Sequence, residues 1–202
     1  MEIGTYPLEK TSIFQGADAQ QVQKMLGVIL PSIKTYVRGE TICRAGETVS
    51  SLGIVLAGGA TIELCDAWGN RSIIERLEPG EVFAEAYACL PGEPLMVSVT
   101  ADAPTRVMFL GVSRMLSMGL EPEQAILTTN LLRIMARKNV TLSQRMMNIS
   151  ARTIRARLLS YLSQQAIRTG SSRFTIPFNR QELADYLGVE RSGLSLELGK
   201  MR

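Results

Sequence analysis

The chain has 202 residues, 46% hydrophobic and 20% charged, so it can build one large or two modest domains with a real core. Its net charge of +3 conceals two unlike parts: residues 1–129 hold 9 Lys and Arg against 15 Asp and Glu, net −6, and residues 130–202 hold 13 against 4, net +9. The absence of histidine excludes His-ligated zinc and haem and every Ser-His or Cys-His catalytic arrangement.

No apolar run is long enough to span a membrane, and the start MEIGTYPLEK lacks the basic-then-apolar order of a signal peptide, which points to a cytoplasmic protein without membrane attachment. Cys43, Cys65 and Cys89 lie far apart with no CxxC pair, the pattern of buried structural thiols, with a redox switch as the alternative. A basic C-terminal third on an acidic body is the charge layout either of a polyanion-binding module attached to a separate sensing domain or of a solvated basic helix surface.

In chain order, DAQQVQKMLGVI predicts a short helix capped by Asp18. From Tyr36 to Leu110, short alternating or apolar segments punctuated by glycine predict an antiparallel β-barrel or jelly roll. Trp68-Gly69-Asn70 is placed to turn one hairpin. Within PGEVFAEAYACLPGEPLMVSVTA, FAEAYACL is the one segment with helical character, and its acid Glu85 sits in an apolar run with no Lys or Arg between Arg76 and Arg106.

From about Glu121 to Ser150 the pattern is a single long helix, in which Leu131, Met135, Leu142, Met146 and Ile149 form a narrow apolar stripe. Such a stripe predicts a seam with a second copy of the chain, the alternative being packing on the chain's own barrel. A second helix, ARTIRARLLSYLSQQAIRTG, points Ile154, Leu158, Leu159 and Leu162 inward and Arg152, Arg155 and Arg157 outward, and ends at Gly170. SSRFTIPFNR then offers a short extended piece.

NRQELADYLGVERSGLSLELGKMR carries the most specific signal. Asn179 and Glu182 form a capping box; Leu183, Ala184 and Leu187 make an inner face; Gly188 allows the turn; and Leu194 and Leu198 face inward from a second helix. This is helix-turn-helix spacing, and double-stranded DNA is the implied partner. Arg191, Ser192 and Ser195 are placed to meet bases or phosphates, and Arg180 and Lys200 to meet the backbone. Two residues run against strong base reading: Gly193 weakens the second helix, and Leu196 stands where an outward polar residue is expected.

RGETICRAGE, PGEVFAEAYA, the long helix from Glu121 and NRQELADYLGVERSGLSLEL, taken together, resemble the CRP/FNR family of bacterial transcription regulators over nearly the whole chain. The resemblance implies an α+β fold: a β-roll effector domain over 1–120, a dimerisation helix over 121–150, and a helix-turn-helix domain over 151–202. It implies a homodimeric DNA-binding regulator rather than an enzyme, with a small-molecule effector and RNA polymerase as further partners. The family's two-stranded wing is expected to be missing, because the sequence stops at Met201-Arg202.

Members of the family that bind a cyclic nucleotide carry a GExFGE cassette followed about ten residues later by an arginine that neutralises the phosphate. Gly80, Glu81, Phe83 and Glu85 match; Ala84 replaces the second glycine, and Leu95 falls at the arginine position. A phosphate would then enter an enclosed site without its charge-assisted partner. The resemblance therefore implies an effector other than cyclic AMP, neutral or cationic, facing Phe83, Ala84, Glu85, Tyr87, Leu95 and Met96, and names no cofactor. In the alternative, FAEAYACL only closes the barrel. A regulatory module acting through a protein partner is the second function consistent with these motifs, and a metal-dependent jelly-roll enzyme is a third, which the missing histidines count against.

Overall fold

The computed structural model describes residues 6–65, 71–117, 119, 122–176 and 178–201. They belong to two compact units, Met1–Ala136 and Arg137–Arg202.

The first unit opens with a 3-10 turn, Leu8–Lys10, and helix α1, Ala19–Ile29. The Asp18 side chain accepts from the Gln21 amide at 2.8 Å, while the Gln21 side chain accepts from the Asp18 amide at 3.0 Å, a reciprocal cap that satisfies two otherwise orphaned donors. Val22, Met25, Leu26 and Ile29 then fall on one face and are buried.

Among the described residues, eight strands follow: β1 Ser32–Tyr36, β2 Thr41–Cys43, β3 Ser51–Ala57, β4 Ala60–Cys65, β5 Arg71–Leu77, β6 Val82–Phe83, β7 Ser98–Ala101 and β8 Thr105–Gly111. They form two four-stranded antiparallel sheets, ordered β1-β8-β3-β6 and β2-β7-β4-β5. The Trp68-Gly69-Asn70 turn lies outside the described residues.

Alternation along β3 and β8 explains their nearly continuous apolar sequences. Val55 and Val107 point into a core shared with Ala60, Ile62, Val99 and Ala101 of the other sheet. Leu52, Ile54, Leu56, Met108 and Leu110 point the opposite way, into a second core with α1. A strand buried on both faces has no position at which water tolerates a charge, so its sequence loses the polar half of the alternation. Gly53 is required by this packing: a Cβ there would lie 2.2–2.7 Å from the Phe83 ring.

Three helices complete this region: α2 Glu85–Ala88, α3 Val112–Leu116 and α4 Pro122–Ser150, the last crossing into the second unit. Leu127, Leu131 and Ile134 of α4 are buried against the first unit's core, and the Asn130 amide donates to the carbonyls of Ile13 and Gln15 at 3.0 and 2.8 Å. Lys24 and Glu123 pair at 3.1 Å between α1 and the start of α4.

The second unit adds α5 Ile154–Thr169, α6 Arg180–Leu187 and α7 Arg191–Lys200 around Leu158, Tyr161, Leu183, Ala184, Leu187 and Leu194. Two expectations for α5 are corrected. Leu159 is 43% exposed and Tyr161 takes the inward place, because three residues beyond Leu158 return to its face whereas one residue turns away by about 100°. Arg157 does not simply face solvent, as its hydrogen bonds below show. No β-strand forms in 173–176 or 178–179.

Candidate nucleic-acid interface and sensing site

The turn between α6 and α7 is built by local chemistry. The Asn179 side chain accepts from the amides of Gln181 and Glu182, and the Glu182 carboxylate accepts from the Asn179 amide at 2.9 Å. Gly188 ends α6 in the left-handed region at φ 61°, and the Val189 amide closes onto the Ala184 carbonyl at 3.0 Å. Ala184, fully buried, allows close helix approach. Gly193 has a similar reason: a Cβ there would meet Ile154 Cδ1 at 2.7 Å, so its low helix propensity accompanies close packing of α7 on α5.

On α7, Arg191 and Ser192 are exposed in the first turn, Ser195 is half-buried, and Leu196 is 61% exposed. All four lie on α7, the second helix of the motif. Arg180 is exposed at the start of α6; Lys200, at the far end of α7, pairs with Glu197 at 2.6 Å.

Three side chains whose contacts the sequence did not reveal tie the end of α4, α5 and this motif together. Arg157 donates through Nε to the Ala151 carbonyl at 2.8 Å, and through one terminal nitrogen to the carbonyls of Leu187 and Gly188 at 3.0 and 2.8 Å. It thereby satisfies the C-terminal end of α6 and the α4–α5 connection with one cation. Asn148, fully buried, donates to Gln164 at 3.0 Å and accepts from Ser160 at 2.8 Å. The Arg145 guanidinium lies 5.4 Å from the centre of the Tyr186 ring, within cation–π range.

In the first unit, the cassette runs from the Gly80 turn through β6 into α2. Gly80 has φ 95°, and a Cβ there would strike the Tyr6 ring at 2.5 Å. Ala84, the expected glycine position, occupies the left-handed region at φ 59°, which costs an L-residue roughly 1–2 kcal/mol. Glu85 begins α2 and is 5% exposed. Phe83 is fully buried, edge-on to Phe109 at 6.3 Å.

Leu95 is 3% exposed within the core shared by the two sheets. Its backbone is fixed on both sides, its amide donating to Glu47 O at 2.9 Å and its carbonyl accepting from Gly46 at 2.7 Å. The Met96 amide donates to the Tyr87 hydroxyl at 3.4 Å, while the Met96 side chain is 70% exposed. Phe83 and Leu95 lie in one core against which Ala84 and Tyr87 pack, and the Met96 side chain stands outside it.

Cys43 and Cys89 are free thiols. Burial, reinforced by the Glu47 charge, pushes Cys43 up to about 11, and burial with Glu85 raises Cys89. Both are mostly protonated near neutrality, the less reactive form. Among the described residues, no cluster of three or more His, Cys, Asp or Glu could hold a metal ion, and no helix is long and apolar enough to cross a membrane.

Along α4 the apolar stripe divides. Leu131 is buried in its own unit's core and Met135 packs partly against it, whereas Leu142, Met146 and Ile149 are 62%, 69% and 37% exposed. Leu132, absent from the predicted stripe, is 63% exposed.

A β-sheet unit joined through a long helix to a helix-turn-helix unit defines a class of DNA-binding regulators. The comparisons agree: the chain matches the cyclic nucleotide-binding domain over residues 33–120 and the Crp-like helix-turn-helix domain over residues 156–202. The CRP-like cAMP-activated global transcriptional regulator of Mycobacterium tuberculosis is 23% identical over 197 residues, covering 95% of this chain and 85% of the relative. Thermus thermophilus catabolite activator protein shares the fold with a TM-score of 0.56 at 20% identity, over 95% of this chain and 86% of that one. The c-di-GMP responsive regulator CLP of Xanthomonas campestris shares it with a TM-score of 0.64 at 14% identity, over 91% of each chain. The chain belongs to the CRP/FNR family of transcription regulators; it is a DNA-binding regulator and not an enzyme.

Proposed function

We propose that the protein is a homodimeric, sequence-specific regulator in the cytoplasm, with 1–120 sensing, 121–150 dimerising and 151–202 binding DNA. Signal at the β-sheet unit shifts the paired α4 helices and thereby the two α7 helices, and the DNA-bound dimer acts on RNA polymerase. The observation that carries the DNA reading is the capped α6–Gly188–α7 turn presenting Arg191, Ser192 and Ser195 from the basic part of the chain. Arg180 and Lys200 flank them for phosphate contact.

For the dimer, the exposures favour a seam one residue away from the predicted stripe at its start. Leu132, Met135, Asn139, Leu142, Met146 and Ile149 are spaced alternately three and four residues apart, a heptad seam with one polar layer at Asn139. Leu131 belongs to its own unit's core instead. In this heptad Lys138 and Arg145 flank the seam on one side and Ser143 and Ser150 on the other. Antiparallel pairing would bring the cations together; parallel pairing sets each against a serine, as two-fold presentation of α7 requires.

Burial of Leu95 at the phosphate-neutralising position supports an effector other than cyclic AMP. In this reading Glu85 and Tyr87 meet a neutral or cationic ligand, Phe83, Ala84 and Leu95 complete the surroundings, and Met96 contributes at the edge through its backbone rather than its exposed side chain. Calorimetric titration of the full chain with cyclic AMP is expected to give no submicromolar binding. A submicromolar dissociation constant would overturn this part of the proposal and leave the DNA reading standing.

A further inference from the structure

The outward face of α7 carries a leucine where hydrogen-bonding chemistry is expected. Leu196 is 61% exposed, whereas Leu194 is buried and Leu198 packs against the second unit's core. At about 100° per residue, Leu196 lies roughly 40° from Ser192 and roughly 160° from Leu194, at the middle of the face opposite that core. Within α7 the one acidic residue, Glu197, is paired with Lys200, so neither sets the chemistry at this central point.

Leucine offers neither donor nor acceptor, so it cannot discriminate the polar edges of base pairs. Among the groups that bases present in the major groove, thymine's C5-methyl is the methyl group, and apolar side chains contact it. We infer that Leu196 is a specificity-determining residue that covers one thymine methyl in each half-site. Arg191 and Ser192, one turn earlier, supply the polar contacts around it. The inference rests on the DNA-binding reading above.

The test uses the full chain and an operator selected from random duplexes. Each thymine is replaced in turn by deoxyuridine, which removes only the methyl. One position per half-site is expected to weaken binding about fourfold, and replacement in both half-sites about fifteenfold, from the burial of one methyl apiece. Leu196→Ala should bind the thymine and uridine duplexes alike while unfolding at the wild-type temperature, since the site is exposed and alanine favours helix.

A selected operator that loses affinity with Arg191→Ala but gives a flat uridine scan overturns the Leu196 assignment alone. So does a Leu196→Ala protein that keeps the preference for thymine. Failure to select any duplex overturns the DNA reading and this inference with it.

Discussion

Leu142→Glu is expected to convert the dimer to monomer and to weaken operator binding at least a hundredfold. Leu142 is 62% exposed within one chain, so the substitution leaves the protomer's core intact. In the paired seam it removes two buried leucines and adds two facing carboxylates. Lost burial alone amounts to about 1.5–3 kcal/mol per leucine, about 3–6 for the pair, so the dimer's dissociation constant should rise at least about a hundredfold. Sedimentation across a dilution series reads the first effect and equilibrium DNA binding the second. The neighbouring core residue provides the contrast: Leu131→Ala, at a site 4% exposed, should lower the unfolding temperature while the dimer persists. A dimer unaffected by Leu142→Glu would remove the seam from the account.

Arg157→Ala should destabilise the second unit by about 2–4 kcal/mol, because hydrogen bonds to a charged group contribute about 1.5–3 kcal/mol each and the partners here are partly exposed. Its guanidinium serves three carbonyls, of Ala151, Leu187 and Gly188, and so joins the α4–α5 connection to the turn that sets α7. The predicted readout is an earlier unfolding transition in urea followed by backbone circular dichroism, with weakened operator binding even where the protein remains folded. Arg157→Lys should recover little of the loss, since an ammonium cannot reproduce the fork that reaches both ends. An unchanged transition would show that water replaces the guanidinium without cost.

The helix-turn-helix was legible in the sequence because its determinants are local. Asn179, Glu182, Ala184 and Gly188 lie within ten residues, and each acts on backbone groups a few positions away. The β-rich body was legible as a class, while strand order was not, since pairing β3 with both β8 and β6 depends on contacts far apart in sequence. On α4, Leu131 and Leu132 are the same residue type at adjacent positions, and only the packing of the first unit decides which one faces its own core.

Arg157 was hidden for a related reason. A charge on an amphipathic helix reads as solvated, and the carbonyls that capture it are brought near only when α5 and α6 pack. Leu196 was legible as an anomaly in the sequence; its exposure supplies the physical meaning. Leu95 was identified by its position in the cassette, and its burial adds that an apolar side chain packed in the core stands at that position. For Glu85, Tyr87 and the other proposed effector contacts, the motif gives a location and leaves the ligand to experiment.

Selection of binding sites from random duplexes by the full-length wild-type protein, with stoichiometry measured on the winning sequence, tests the central claim most directly. The account predicts an inverted repeat whose half-sites lie about one helical turn, roughly 34 Å, apart, bound by two protomers with affinity that falls steeply as salt rises. Enrichment of no sequence, or of a single unrepeated element bound by one protomer, would contradict it.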